Sequence, residues 1–258
     1  MRINGLGEIA RHFDAMLIDQ FGVIHDGEKL YPGTLDVLTH LHRADIPVGV
    51  MTNSGKRAAT NRNRLLHMGV PREFFVDAIS SGEVAYQSIG SRKAYLIGKQ
   101  GEDYGFDGVP FVNDVAQAEV ILILGSDAPA TSMEQYREFF AGTSLPAVCC
   151  NPDKLMLTPQ GLQPAPGAIA ALYESMGGEV QWIGKPHPEI YLHALKLLGH
   201  PARVLCIGDS AEHDVAGGRN AGLATLLVMT GVSAGLDVAT LHPQADYVLR
   251  DFIWSGAV

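Results

Sequence analysis

The sequence has few cysteines and no long apolar segment. Its 258 residues contain three cysteines, Cys149, Cys150 and Cys206, which fit neither a disulfide framework nor a zinc site. No run approaches the ~20 apolar residues that a membrane-spanning helix needs, and the first residues lack the apolar stretch of a secretory signal. These absences predict a protein of the reducing cytoplasm without a membrane span.

Positive charge is also scarce. The chain has 19 Lys and Arg residues against 28 Asp and Glu residues, which gives a formal net charge of −9. This balance disfavours nucleic acids and anionic membrane surfaces as partners. An anionic substrate must therefore be attracted locally, by a metal ion or by a few well-placed cations.

Short apolar runs that alternate with amphipathic stretches make up most of the chain. Near-continuous apolar strands between helices are typical of an α/β fold with a mainly parallel sheet. The predicted strands are 15–19, 47–51, 94–98, 119–125, 146–150, 181–183, 203–208 and 224–229. The predicted helices are 33–44, 56–68, 81–90, 131–141, 166–176, 188–198 and 213–221. The segment Thr131-Ser132-Met133-Glu134 predicts a capping box at the start of one of these helices.

Polar clusters follow several predicted strands and are unevenly distributed. They lie at 19–27, 52–54, 184–187 and 208–214. The stretch between them has its own strand–helix alternation but no comparable cluster. We therefore predict a discontinuous core domain, residues 1–79 and 179–258, with a second α/β domain inserted at 80–178.

Two of these clusters carry carboxylates at strand ends. The apolar run Ala15-Met16-Leu17-Ile18 ends at Asp19, and the run before Gly208 is followed by Asp209 and, five residues later, Asp214. The carboxyl ends of parallel strands meet at one edge of a sheet, so these acids would repel one another unless a cation lies between them. Oxygen ligands without cysteine suit Mg²⁺.

The two remaining clusters contain hydrogen-bond donors and a positively charged side chain. The hydroxyl and amide groups of Thr52, Asn53 and Ser54 can hold an anion or simply cap the following helix. Lys185 stands between Gly184 and Pro186, on a stiff turn that either positions its charge or leaves it at the surface. The four clusters together describe one reaction. An Asp attacks phosphorus, a metal offsets charge repulsion, and donors hold the phosphoryl oxygens.

With these residues assembled, the chain resembles the haloacid dehalogenase-like (HAD) hydrolase superfamily over nearly its whole length. The resemblance is greatest to class IIA, typified by NagD-like and 4-nitrophenylphosphatase-like phosphatases. The four matching motifs are Asp19-Gln20-Phe21-Gly22-Val23-Ile24, Thr52-Asn53-Ser54-Gly55-Lys56-Arg57, Ile183-Gly184-Lys185-Pro186-His187-Pro188, and Ile207-Gly208-Asp209-Ser210 with Asp214. Asn151-Pro152-Asp153 and Pro166-Gly167 match a pattern of the class IIA cap.

The resemblance implies a Rossmannoid parallel-sheet core with an inserted C2-type cap, acting on a small phosphorylated substrate such as a sugar phosphate or a nucleotide. Asp19 would be the nucleophile that becomes an aspartyl-phosphate, assisted by Lys185 and Thr52. Mg²⁺ would be held by Asp19, the backbone carbonyl of Phe21, Asp209 and, through water, Asp214. The phosphate- and substrate-binding residues would be Asn53, Ser54, Lys185, Asn151 and Asp153. Caps of this class often support dimerisation, so a homodimer is also expected.

Phe21 departs from the pattern of these phosphatases, which have a second Asp there. That Asp protonates the leaving oxygen and then activates water, help that is typically worth ~10²–10⁴ in rate. Either His25 or Asp26 is a candidate surrogate acid. Alternatively, the chain is a binding or phosphoenzyme-trapping protein, or a dehalogenase-like hydrolase, which has an aromatic residue there and uses no Mg²⁺.

Overall fold

The computed structural model describes residues 1–158 and 160–255. The chain divides into two compact units. The first unit comprises Met1–Thr52, Asn61–Ile79 and Lys185–Val258, and the second comprises Asn53–Thr60 and Ser80–Gly184. The second unit is therefore formed mainly by a segment inserted between two parts of the first. Its action as a cap stays a prediction.

The strands and helices alternate along most of the chain. The strands are β1 Ala15–Asp19, β2 Val48–Thr52, β3 Asp77–Ser80, β4 Ala94–Ile97, β5 Phe111–Val112, β6 Val120–Ile123, β7 Ala147–Cys149, β8 Leu155–Thr158, β9 Gly161–Pro164, β10 Val180–Trp182, β11 Val204–Gly208, β12 Ala224–Val228 and β13 Tyr247–Leu249. The helices are α1 Thr34–Arg43, α2 Ala58–His67, α3 Ser81–Ile89, α4 Met133–Ala141, α5 Pro166–Ser175, α6 Pro188–Leu197 and α7 Ala216–Asn220. A π-helical turn, Ala211–Val215, leads directly into α7.

The first unit is built on a sheet with the strand order β13-β12-β11-β1-β2-β3. β1 pairs in parallel with both β11 and β2, and every residue of these three strands is buried. One face packs on α1, where Met16 and Ile18 share a core with Val37 and Leu41. A parallel strand that is covered on both faces reads as a continuous apolar run, which is why the sequence identified these strands. The predicted α/β fold with a parallel sheet is confirmed.

The second unit contains a parallel sheet of its own, in the order β10-β7-β6-β4-β5, and an antiparallel hairpin, β8-β9. Successive residues of β6 point to opposite faces, so that Leu122 belongs to one apolar cluster and Ile121 and Ile123 to the other. β10 pairs with β7 in this sheet. It therefore belongs to the second unit, whereas the sequence placed residues 179 onward in the core domain.

The structure corrects several details of the predicted elements. Ser132, rather than Thr131, caps the N-terminus of α4, because its hydroxyl accepts the Gln135 N–H while the Gln135 side chain accepts the Ser132 N–H. The sequence missed β3, β5, β8, β9 and β13. These strands have two to four residues, too few to show a periodic pattern. In the hairpin, Leu155 and Leu162 are exposed, which further obscures alternation.

Of the helices that the structure describes, none has the length and apolar character that crossing a bilayer requires.

Candidate active site

Asp19 lies at the carboxyl end of β1, in the middle of the first unit's sheet. The register places it beside Met51 of β2, and Ile18 beside Ile207 of β11. The side chain is 7% exposed, and its Oδ1 accepts the Gln20 N–H at 2.7 Å. The same edge of the sheet carries Thr52, the last residue of β2, which is also buried. The strand order therefore brings these two predicted residues to one edge, as parallel topology requires.

Lys185 contacts two of the acids. Its side chain is 3% exposed, and its Nζ lies 2.7 Å from Asp19 Oδ1 and 2.7 Å from Asp214 Oδ1. Burial opposes the charge of the ammonium, but the facing carboxylates of Asp19 and Asp214 outweigh burial and raise the Lys185 pKa. Lys185 is therefore a fixed cation between two carboxylates, which excludes the alternative of a surface lysine.

Asp214 is positioned by the turn that follows β11. It lies in the π-helical turn Ala211–Val215, where its Oδ2 accepts the Ser210 N–H at 3.1 Å. A Cβ at Gly208 would collide with this carboxylate, so the close approach requires glycine at the end of β11. The carboxylate of Asp214 is thus held by a backbone donor on one side and by Lys185 on the other.

Asp209 is enclosed by two glycines. A Cβ at Gly22 or at Gly231 would collide with its carboxylate, and both glycines have positive φ, +85° and +48°. The Val232 N–H donates to Asp209 Oδ2 at 2.7 Å, and the Thr230 hydroxyl donates to the Gly22 carbonyl at 2.5 Å. The loops after β1 and β12 therefore meet at the Asp209 carboxylate.

The three carboxylates form a candidate metal centre. Ligand oxygens of Asp19, Asp209 and Asp214 lie within 4.8 Å of one another, and all three side chains are buried. Burial raises the Asp19 pKa well above its usual range; Lys185 opposes this shift, and the carboxylates of Asp214 and Asp209 add to it. Burial, with the neighbouring Asp214 carboxylate, raises the Asp209 pKa to about 6.

The charges of this cluster explain why a cation fits it. With every group ionised, three carboxylates against the single Lys185 ammonium leave a local excess of negative charge in a buried place. Such an excess is costly unless a further cation compensates it. An all-oxygen donor set suits Mg²⁺, so the residues present fit the ion that the sequence predicts.

Phe21 lies in the loop that leaves β1. Its side chain is 50% exposed. Its ring packs edge-on against the His25 ring, with centroids 4.9 Å apart. The ring also covers Gly27, where a Cβ would come within 2.7 Å of it. The half-exposed ring therefore forms part of the surface of this loop.

His25 is buried inside the same loop, with 0% exposure. Its Nδ1 accepts the Gly27 N–H at 3.0 Å, and its Nε2 lies 3.1 Å from the Gln20 side-chain amide. Since Nδ1 is an acceptor, a neutral ring carries its proton on Nε2. The Gln20 oxygen, otherwise without a partner, would accept this proton if the amide were turned by 180°. Burial, with the Arg64 charge adding to it, lowers the His25 pKa to about 4, so the ring is neutral at pH 7.

Asp26 is exposed and closes its own turn. Its Oδ1 accepts the Glu28 and Lys29 N–H groups, both at 2.9 Å. These hydrogen bonds lower the Asp26 pKa, which keeps the carboxylate ionised at neutral pH, without a proton to donate. The contacts of His25 and Asp26 are thus those of loop-building residues. Their role as a surrogate acid stays a prediction.

The other predicted phosphate- and substrate-binding residues lie in the second unit. Asn53 is buried, and its Nδ2 donates to Asp153 Oδ1 at 3.1 Å. Asn151 Oδ1 accepts the Asp153 N–H at 2.9 Å, and Ser54 Oγ accepts the Lys56 N–H at 3.2 Å. The structure therefore brings Asn53, Asn151 and Asp153 together, and it gives Ser54 the local contact of a turn-forming residue.

The sequence did not reveal two parts of the site. The segment Thr230–Ser233 surrounds Asp209, since the Ser233 hydroxyl also donates to the Asp209 carbonyl at 2.6 Å. Burial raises the Tyr31 pKa, the charges of Asp26 and Asp209 add to this, and a hydrogen bond with the Gly231 backbone opposes it. Through this hydrogen bond Tyr31 reaches the loop that encloses Asp209. Gly231, in the loop after a predicted strand, was the one sequence signal for this region.

Two family models match the chain. A haloacid dehalogenase-like hydrolase model covers residues 16–112, and a HAD-hydrolase-like model covers residues 182–254. Between them they contain Asp19, Lys185, Asp209 and Asp214. The chain belongs to the haloacid dehalogenase-like hydrolase superfamily, in its class IIA branch, and is a hydrolase.

Individual relatives match over nearly the full length. The acid sugar phosphatase of Staphylococcus aureus (strain USA300) is 26% identical in an alignment of 252 residues that covers 93% of this chain and 96% of that protein. A haloacid dehalogenase-like hydrolase from Brucella suis 1330 is 27% identical, with a TM-score of 0.85 over 97% of this chain and 100% of that one. The p-nitrophenyl phosphatase of Archaeoglobus fulgidus is 26% identical, with a TM-score of 0.78 over 93% and 96%.

Proposed function

We propose that this protein is a Mg²⁺-dependent phosphomonoester hydrolase that acts on a small phosphorylated metabolite, a sugar phosphate or a nucleotide, through an aspartyl-phosphate on Asp19. The observation that carries the proposal is the buried cluster of Asp19, Asp209 and Asp214 around Lys185. The phosphatase names of the Staphylococcus and Archaeoglobus relatives add to it.

The nucleophile is held ready by its neighbours. The Gln20 N–H and the Lys185 ammonium both contact Asp19 Oδ1, which opposes the protonation that burial favours and fixes the orientation of the carboxylate. The other oxygen, Oδ2, attacks phosphorus, and the leaving oxygen departs. Water then attacks phosphorus, which breaks the bond to Asp19 and regenerates the carboxylate. Splitting hydrolysis into two displacements in this way is the advantage of covalent catalysis.

Lys185 compensates negative charge in both displacements. Its ammonium lies 2.7 Å from the nucleophile, close enough to offset the repulsion between an approaching phosphate dianion and the buried carboxylates. Asp214 holds Lys185 in place from the other side. Thr52, at the same edge of the sheet, would donate its hydroxyl to a phosphoryl oxygen.

The cation would be held by Asp19, Asp209 and the Phe21 carbonyl, with Asp214 acting through water. When bound, Mg²⁺ supplies Lewis-acid stabilisation of charge on the phosphoryl oxygens. Asp209 is oriented for this purpose by the Val232 N–H and enclosed by Gly22 and Gly231. From the resemblance we further propose that Asn53 and Ser54 bind phosphoryl oxygens and that Asn151 and Asp153 contact the substrate.

The test is phosphate release from a panel of phosphate monoesters, including an aryl phosphate, with Mg²⁺ and with a chelator. We expect turnover that requires the metal and is lost in Asp19→Asn. Equal turnover with the chelator would contradict the metal's role. Ligand binding without turnover in the folded wild type would contradict the hydrolase assignment and favour the binding protein.

A further inference from the structure

The loop after β1 exposes an aromatic ring close to Asp19 in the chain. Phe21 is two residues from Asp19, and the adjoining Gly22 backbone lies against the Asp209 carboxylate. The ring is half-exposed and is held by His25 and Gly27. The residue that adjoins the backbone around Asp209 thus presents a half-exposed apolar ring and no acid.

The two candidate proton donors of this loop, His25 and Asp26, form hydrogen bonds within the loop itself. His25 is completely buried, with Nδ1 taken by the Gly27 N–H and Nε2 facing Gln20. Asp26 uses one carboxylate oxygen to close its turn on Glu28 and Lys29. Neither contact arrangement presents a proton to a leaving group beside Asp19.

The carboxylates of Asp209 and Asp214 also form hydrogen bonds or ion pairs with neighbouring groups. Asp209 Oδ2 accepts the Val232 N–H, and Asp214 divides its two oxygens between Lys185 and the Ser210 N–H. The Tyr31 hydroxyl forms a hydrogen bond with the Gly231 backbone, in the loop that encloses Asp209, so its capacity to donate a proton is tested below.

We propose that this enzyme selects substrates whose leaving group departs as a stable anion, without a proton from the protein. The class comprises aryl and enol phosphates, acyl phosphates and phosphoanhydrides. The inference rests on the proposed function and narrows it. Sugar phosphates and nucleoside monophosphates that are simple alkyl esters become slow substrates, and the Phe21 ring borders the leaving group with an apolar surface.

The chemistry balances without an acid. The Asp19 oxygen forms a bond to phosphorus while the bond from phosphorus to the leaving oxygen breaks, and its electron pair departs on that oxygen. In the second displacement the water oxygen bonds to phosphorus, the bond to Asp19 breaks, and the water releases one proton to the solvent. A leaving group of low pKa accepts the electron pair readily, whereas an alkoxide does so only with protonation.

The experiment measures kcat/KM with Mg²⁺ for phosphate monoesters graded in leaving-group pKa, from nitrophenyl through phenyl to alkyl. The variants are Phe21→Asp, Phe21→Leu, Tyr31→Phe and Asp19→Asn. For the wild type we expect kcat/KM to fall steeply as the pKa of the leaving group rises. Phe21→Asp should raise alkyl rates relative to aryl rates by about tenfold or more, toward the ~10²–10⁴ typical of acid catalysis. Phe21→Leu, which stays apolar, should keep the wild-type slope.

Two results would overturn the inference while leaving the proposed function intact. One is a flat wild-type profile that Asp19→Asn abolishes. The other is a selective loss of alkyl-ester turnover in Tyr31→Phe, which would identify Tyr31 as the proton donor. Absence of Asp19-dependent turnover on every ester, aryl phosphates included, would overturn the proposed function itself. Far-ultraviolet circular dichroism and thermal unfolding establish that each variant is folded. If Phe21→Asp does not fold, the dependence of kcat/KM on leaving-group pKa in the wild type and in Phe21→Leu still tests the inference.

Discussion

The two units share an architecture but differ at the carboxyl edges of their sheets. Each has a parallel sheet with apolar residues on both faces. The edge of the first gathers buried charges, Asp19, Asp209, Asp214 and Lys185. Within the described residues, the candidate metal cluster lies in this unit.

The edge of the second unit also carries charged residues, Lys99, Asp127 and Asp153, but these three are exposed or only partly buried. The Ser126 hydroxyl, after β6, donates to the Pro164 carbonyl at 2.7 Å. The Lys99 N–H, after β4, donates to the Tyr104 hydroxyl at 2.9 Å. The same fold thus supports one edge with a buried cluster of charges and another whose charged residues stay at least partly exposed, and the residues that follow each strand decide which chemistry results.

The largest expected effect is the loss of turnover in Asp19→Asn. The amide keeps the shape of the side chain but cannot act as the nucleophile, so kcat should fall by about 10³-fold or more. Steady-state phosphate release with Mg²⁺ measures it. Asp107→Asn, an exposed carboxylate of the second unit, is the matched control. Comparable kcat in Asp19→Asn and the wild type would break the contrast between the two units.

Lys185→Met should reduce both stability and turnover. Removing the ammonium leaves Asp19 and Asp214 buried without their shared cation, which typically costs about 3–5 kcal/mol in the free energy of unfolding. Urea denaturation measures this loss. Lys196→Met, an exposed lysine of α6, should cost little. Equal losses in the two variants would show that the buried lysine is not the one that holds the charged edge together.

Asp209→Asn should weaken the stabilisation that Mg²⁺ confers. A cation that binds only the folded wild type raises the free energy of unfolding by about 2.7 kcal/mol at 100 times its Kd. Most of this gain should vanish in Asp209→Asn and persist in Asp107→Asn. Thermal unfolding at graded Mg²⁺ concentrations measures it, and an unchanged gain in Asp209→Asn would place the metal elsewhere.

His25→Ala should lower stability without changing the preference among leaving groups. Loss of a fully buried ring and of its hydrogen bonds should cost about 1–3 kcal/mol in the free energy of unfolding. Asp26→Asn preserves the turn and should cost little. If either variant selectively slows alkyl esters relative to aryl esters, that residue is the surrogate acid.

The smallest effect is expected at the edge of the second unit's sheet. Tyr104→Phe removes the partner of the Lys99 N–H and should cost about 1 kcal/mol in the free energy of unfolding. The increase in unfolding temperature with Mg²⁺ should be the same as in the wild type. A reduced metal response would show that the two edges are coupled.

The sequence predicted the strands that carry the chemistry because burial on both faces leaves an unmistakable signal. β1 and β11 are apolar at nearly every position, and the acids follow them directly. Polar residues gathered after such strands indicated which residues meet. The registers of β1 with β11 and β2 then put Asp19 and Thr52 at one edge.

What the sequence could not predict depends on tertiary contacts. His25 resembles any loop histidine until its complete burial is seen. Tyr31 and Thr230–Ser233 approach Asp209 from distant parts of the chain, and no local spacing links them to it. Likewise, β10 was assigned to the core domain because pairing with β7 leaves no mark in its own short sequence.

The most direct test of the central claim is to trap the phosphoenzyme. The wild type is mixed with an aryl phosphate and Mg²⁺, quenched in acid within the first turnovers, digested and examined by mass spectrometry. We predict a phosphoryl group on the peptide that contains Asp19, absent in Asp19→Asn. A phosphoryl group on another residue, or rapid turnover with no phosphopeptide at the earliest quench times, would contradict the assignment of Asp19 as the nucleophile.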